Sequence, residues 1–468
     1  MKIVTRLVLV SSMVALGVSG GVAATQQLGP NQRPTAAKAS ASTTSSTTSI
    51  NLKDNTLLTN RMMMVTTTPY LGIRSDYQAG DLLINLPTMN QDLVLLQQQQ
   101  QLENTFNAAG VPFATRPIVQ LSGALAAQAA IGETYNGGTS SVNLSTAELE
   151  INTIISKWAN AFFDIDYDKN AAPYTNDVSK VDNSRLYLER GFLTIGNLNR
   201  SPVYGSVGQM YVPFGHYGSY LVGTPLTDLL AKTTARALSV GYVQGAFNGQ
   251  AYVYQGDTYI HSANRTINEA GADVNYKFDL NRSGNLTSGV GLISNLADSN
   301  TFRDNGVRTT STFQGFTRTT GTQQLEHRVP ASDIYGVWTN GPYGLTAEFI
   351  HACRKFAAQD LQYSSKGAKP AALHTEASYK TNVMNKTVTF AASLGETWQA
   401  AAANLPQYTA AVGAVTSLMK NTIEGIEFRH NVNYSRVRYD NSTGGNTALT
   451  PYLGRTSNIV TAQVGVYF

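Results

Sequence analysis

A single cysteine, Cys353, stands in 468 residues, so no intramolecular disulfide can form. Beyond the N-terminal stretch, no apolar run reaches the roughly 18 residues of a spanning helix, which excludes a helical membrane protein. Any membrane span must then be built from strands, because in lipid only helices and closed barrels satisfy every backbone polar group. Charge is sparse too. Charged residues make up 14%, and the net charge of +4 becomes +2 once Lys2 and Arg6 leave with a leader, so there is no nucleic-acid footprint. Catalytic signatures are missing. His216, His261, His327, His351, His374 and His430 show no metal-ligand spacing, and no serine sits in a nucleophile elbow. The expectation is a protein that is not an enzyme and carries no cofactor.

What is abundant points the same way: 24 Tyr and 40 Gly beside few charges suit a wall that is apolar outside and polar inside. Met1 to Arg6 is a basic n-region, 7–22 is an uncharged apolar stretch, and Val22 and Ala24 supply small residues for cleavage. Residues 1–24 read as a secretory signal peptide, with the mature chain starting at Thr25. The Ser/Thr/Ala-rich tract 25–50 lacks large apolar groups and reads as a disordered tether. Residues 51–116 then form a periplasmic segment with a short helix at about 90–107. Asn90 is its N-cap candidate, Asp92 suits the positive helix end, and Leu95, Leu102 and Phe106 share a face. A trimerising coiled coil is the alternative for this helix, though about two heptads is little for one.

From Pro117 the period changes to two. The last strand is the clearest: Val460, Ala462, Val464, Val466 and Phe468 alternate with Thr461, Gln463, Gly465 and Tyr467. Sixteen such segments run from 117–129 to 455–468, and their connections alternate between short and long. Short ones include Ser156-Lys157 and Asn340-Gly341-Pro342; long ones hold 130–145, 169–183, 213–234, 257–268, 295–331, 355–371, 398–406 and 436–454. Short periplasmic turns with long outer loops are the pattern of outer-membrane barrels. Residues 117–468 are therefore expected to form an all-β, 16-stranded antiparallel transmembrane barrel, porin-like, with both termini periplasmic. The terminal Phe468 resembles the signal by which the barrel assembly machinery takes up such strands.

By strand parity, the candidate pore-lining residues are Asp164, Asp166, Arg185, Glu189, Asp273, Lys277, Glu348, Glu376, Glu427 and Arg429. Asp164, Asp166 and Asp168 imitate the start of a calcium loop, but Lys169 and Thr175 stand where glycine and glutamate are needed. Arg303, Arg308, Arg318, Arg354, Lys355 and Lys366 make the long loops basic, a candidate vestibule that concentrates anions. Contact with anionic lipopolysaccharide at the outer rim is the competing use.

The block Asp81-Leu82-Leu83-Ile84-Asn85-Leu86-Pro87 with Asn90, Asp92-Leu93 and Leu95-Leu96 resembles the N-terminal motif of the LbtU-type siderophore porins, the legiobactin receptor family. So do Tyr211-Val212-Pro213-Phe214-Gly215 with Thr224-Pro225-Leu226-Thr227, the Glu348 to Arg354 segment, and Leu405-Pro406 leading to Glu427-Phe428-Arg429-His430. The resemblance implies uptake of a ferric siderophore, or a similar anionic iron chelate, through a barrel without a folded plug domain. A general or anion-selective diffusion porin is the alternative, an adhesin a third, and homo-oligomers are compatible with all three.

Overall fold

The computed structural model describes residues 56–59, 64–67, 89–108, 110, 112–114, 117–134, 137–168, 185–260, 266–303, 313, 315–316, 323–419, 421–435 and 454–467. The leader, the 25–50 tether, Arg308, Arg318 and Phe468 lie outside the described residues.

Among the described residues, sixteen antiparallel strands close into one barrel. They are β1 Ile118–Thr134, β2 Gly137–Ile154, β3 Ala159–Asp168, β4 Arg185–Gly196, β5 Val203–Tyr211, β6 Thr234–Gln244, β7 Phe247–Tyr254 and β8 Glu269–Asp279. The second half is β9 Asn285–Ile293, β10 Ala331–Asn340, β11 Tyr343–Ala352, β12 Ala371–Val383, β13 Lys386–Trp398, β14 Tyr408–Thr416, β15 Thr422–Val432 and β16 Thr456–Tyr467. Closure is by β16 on β1, with Val464 opposite Ala127. Closure leaves no strand edge to be satisfied by lipid. Separately, Met64–Thr67 runs parallel to the lower end of β1, placing Met64 opposite Ile118.

The alternation seen in the sequence is the alternation of the wall. Val460, Val464 and Val466 are exposed on the outside, whereas Ser457 and Gln463 are buried inside. Aromatic pairs mark the short-turn rim, among them Tyr343–Tyr379 at 5.2 Å and Tyr276–Phe278 at 4.7 Å between ring centroids. Such girdles sit at the membrane interface. The turn at Met384-Asn385 takes φ of 50° and 62°, the left-handed pair that a two-residue hairpin demands.

One expected loop is a hairpin instead. The stretch 130–145 keeps its period of two, and only 135–136 connect β1 to β2. At 17 and 18 residues these strands exceed the roughly 9–11 needed to cross a bilayer, so the hairpin projects on the long-loop side. Outward-facing Ile131 and Val142 lie on that projection.

The helix α1, Gln91–Ala108, differs from expectation in place and in cap. Its side chains bond to inward-facing wall residues, so it lies inside the barrel at the short-turn end rather than in a segment outside it. Asn90 does not cap it: the residue is left-handed at φ 57°, and Leu93 N–H donates to Asp92 Oδ1 instead. Two more short helices, α2 Leu226–Ala231 and α3 Asn300–Arg303, belong to long loops. Those loops pack Phe214, Leu230, Phe302, Phe316, Phe356 and Leu361 into an apolar core that also takes in Leu95 of α1 and Ile350 of the wall.

Candidate functional site in the barrel lumen

The segment 212–233 leaves β5 and returns to β6, with Val212 N–H donating to Thr233 O at 3.0 Å. Between those ends it crosses the lumen to the opposite wall. A loop has no helix or ladder for its backbone N–H groups, so buried ones need acceptors from elsewhere. Three wall carboxylates provide them. Glu348 on β11 accepts from the N–H groups of His216 and Tyr217 and from the Thr227 hydroxyl. Glu376 on β12 accepts from Tyr220 N–H at 2.7 Å, and Glu427 on β15 from Gly223 N–H at 2.8 Å. Arg429 donates to Glu427 at 2.7 Å and to Thr224 O at 3.2 Å. A Cβ on Gly223 would lie 2.1 Å from the Arg429 guanidinium, so a larger residue there would push the guanidinium out of its present contacts. Glu348, Glu376, Glu427 and Arg429 therefore do not form open rows facing water, as parity alone implied. They clamp the crossing loop.

On the other side of the lumen sits α1. Asp92 Oδ2 accepts from the Ser206 hydroxyl at 2.7 Å and from Gln250 Nε2 at 2.9 Å. Gln99 donates to Lys157 O at 2.9 Å and accepts from Asn160 at 3.1 Å. Near the short turns, Glu103 accepts from Asn197 and Asn199 at 3.2 and 3.1 Å. Leu93 and Leu96 pack on Tyr204, and Phe106 meets Phe113 edge-on at 5.5 Å.

Close to the α1 N-terminus lies a cluster that parity only half found. Arg190 on β4 donates to Asp164 at 2.6 Å, Glu148 at 3.1 Å and Glu150 at 3.3 Å, all buried. The register of β4 slips between the partners of Asp164 and Ile165, leaving Glu189 as the extra residue. That bulge turns both Glu189 and Arg190 inward, where strict alternation sends Arg190 to lipid. An arginine predicted on the lipid face was the available signal, since such placement costs about 2–4 kcal/mol at the midplane. Glu189 takes a hydrogen bond from the Tyr211 hydroxyl. Carboxylate oxygens of Glu148, Glu150 and Asp164 come within 4.8 Å of one another, but the Arg190 guanidinium already bonds all three. Asp166 is also buried, while the side chains of Asp168 and Arg185 lie outside what is described.

Asp273 on β8 is buried and accepts from Asn275 at 3.3 Å, and Lys277 shares its inward register. Of the basic loop residues, Arg303 is tied to Asp257 at 2.9 Å, whereas Arg354, Lys355 and Lys366 are exposed. Nearby, Asp298 accepts from the N–H groups of Asp257 and Thr258, yet burial pushes its carboxyl up to about 7.

The anion-selective porin from Comamonas acidovorans is similar in fold, with a TM-score of 0.48 and 14% identity over 75% of this chain and 100% of that one. The outer membrane channel DcaP of Acinetobacter baumannii gives 0.47 and 13% over 75% and 97%. No family model matches the chain. A UPF0422 protein of Coxiella burnetii is 36% identical over 405 residues, covering 86% of this chain and 83% of that protein. A UPF0422 protein of Legionella pneumophila is 31% identical over 416 residues, covering 86% and 76%. The chain, whose described residues form a closed barrel of sixteen antiparallel strands, belongs to the UPF0422 family.

Proposed function

We propose that this chain is an outer-membrane channel for uptake of a ferric siderophore or similar anionic iron chelate, with α1 restricting the short-turn mouth and 212–233 restricting the middle. The observation that carries this reading is α1 itself, lodged in the lumen by Asp92, Gln99 and Glu103. A filled mouth suits selective passage coupled to movement of the helix better than free diffusion. The resemblance of 81–96 to siderophore porins and the exposed Arg354, Lys355 and Lys366 favour an anionic iron chelate. An energised receptor with a globular plug needs about 22 strands, so a single helix in sixteen is a different device. The second reading, a general or anion-selective diffusion porin, draws on the strand number, which matches the open porins. Lipopolysaccharide at the rim, the assembly machinery and a second copy of the chain are the partners this reading expects.

Uptake of radiolabelled ferric siderophore under iron restriction separates the two readings. A deletion strain should lose that uptake and regain it with the intact gene. Undiminished iron uptake together with reduced permeability to small anions would establish the diffusion porin instead.

A further inference from the structure

Four neighbouring strands share one inward row whose charge is not balanced. Gln250 on β7 stands opposite Asp273 on β8, Asp273 opposite Gly291 on β9, and Gly291 opposite Asp333 on β10. Cross-strand partners share a face, and Gln250 marks it as the inner one by donating to Asp92 of α1. Asp273 is 3% exposed and Asp333 1%. Neither carboxylate oxygen of Asp333 has a hydrogen-bond partner, and Asp273 has none on Oδ1. Among the described residues, no lysine, arginine or histidine forms an ion pair with either aspartate. In the next row Glu348 is committed to the crossing loop, so it adds negative charge and no donor. Buried charges of one sign are costly, and a bound cation would offset that cost.

The glycine between the two aspartates gives the cation a place. A Cβ built on Gly291 would lie 3.5 Å from Asp273 Oδ1 and 3.5 Å from the Asp333 Cβ, so both side chains border one point. The Asp333 carboxylate starts one bond beyond that Cβ, and no hydrogen bond holds it elsewhere. Phe214 of the crossing loop roofs the same point, with its Cδ2 at 3.2 Å. The unsatisfied groups are all oxygens. Beside the aspartates, Gln250 keeps its buried Oε1 without a partner. Oxygens alone suit a hard divalent cation, and calcium accepts the irregular geometry of ligands from separate strands, where magnesium demands an octahedron.

We propose that Asp273 and Asp333 hold a calcium ion over Gly291. Two carboxylates balance one divalent charge, and the ion ties β8 to β10 beneath the segment that narrows the lumen. Such an ion belongs to the wall, whatever solute passes.

Calorimetric titration of calcium chloride into the refolded full chain, in detergent freed of metal by a chelator, tests the site. Asp333→Asn and Asp273→Asn should each weaken calcium binding at least about tenfold. Gly291→Ala keeps both carboxylates and should weaken it as much, because the methyl takes the place of the ion. Its nearest contacts, at 3.2 and 3.5 Å, are close to ordinary packing, so the barrel should still form. Asp279→Asn, at the short turn that ends β8, should leave the affinity unchanged. Heat-dependent migration on gels checks that each variant is folded. Loss of calcium binding in Gly291→Ala and in either aspartate variant supports the site. A wild type that binds no calcium, or affinity equal in wild type, Asp333→Asn and Gly291→Ala, overturns it.

Discussion

Two segments enter the barrel, and they are held in opposite ways. In α1 the backbone bonds to itself, so the wall grips it through side chains: Asp92 on Ser206 and Gln250, Gln99 on Lys157 and Asn160. In 212–233 the backbone is unsatisfied, so the wall supplies Glu348, Glu376 and Glu427 to accept its N–H groups. The loop is also tied covalently to a barrel strand at both ends, whereas α1 leads into β1 on its C-terminal side and is preceded by Met64–Thr67, which pairs with β1. A helix carries its own hydrogen bonds wherever it goes; a loop stripped of its acceptors leaves orphaned donors. The comparison teaches that 212–233 depends on the wall for its backbone hydrogen bonds, whereas α1 supplies its own and meets the wall through side chains.

The largest expected effect tests that asymmetry directly. Removing residues 25–110 should raise single-channel conductance several-fold in planar bilayers while the barrel still folds, and Asp92→Leu with Gln99→Leu should give intermittent openings. Conductance unchanged by the removal would mean that α1 does not restrict passage. Next comes Arg190, which faces three buried carboxylates beside the helix N-terminus. Arg190→Met should cost about 3–5 kcal/mol, because breaking a buried ion cluster leaves uncompensated charge. The measurement is the denaturant midpoint, and a loss under about 1 kcal/mol would show the cluster is screened by water that enters the lumen.

On the loop side, Glu348→Ala should cost about 1–3 kcal/mol, the penalty for buried donors left without an acceptor. Glu348→Gln keeps a carbonyl acceptor and should cost less. If both variants unfold alike, the clamp acts through charge and not through its hydrogen bonds. The smallest effect concerns the basic loops. Changing Arg303, Arg308, Arg318, Arg354, Lys355 and Lys366 to glutamine should move the reversal potential toward cations at low salt. The shift should fade as the Debye length falls from about 30 Å at 0.01 M to 3 Å at 1 M. Arg303 should contribute least, since Asp257 already neutralises it. No shift at low salt would place these residues away from the ion path.

Legibility followed periodicity. The strand β16 could be read from Val460, Val464 and Val466 because each of its faces meets one solvent along the whole length. The β1–β2 hairpin was harder, since Gly132, Gly137 and Gly138 look like loop residues although the pairing runs through them. The bulge at Glu189 leaves the composition of β4 unchanged while reversing its parity, so Arg190 was reached only through the register, although parity had already placed its partner Asp164 inside.

The sequence by itself determined most of the wall, the number of strands and the facing of side chains along regular strands such as β16, as a local consequence of a period of two, but not the 130–145 hairpin or the inward turn of Arg190. It also determined that a helix lies near 91–108, from the 3.6-residue period. Only the tertiary structure decided where that helix sits, and which inward carboxylates face other protein rather than water. The reason is physical. Parity tells a side chain which way to point, whereas what fills the space it points into depends on residues far along the chain, such as Gly223 reaching Glu427 and Asp92 reaching Gln250.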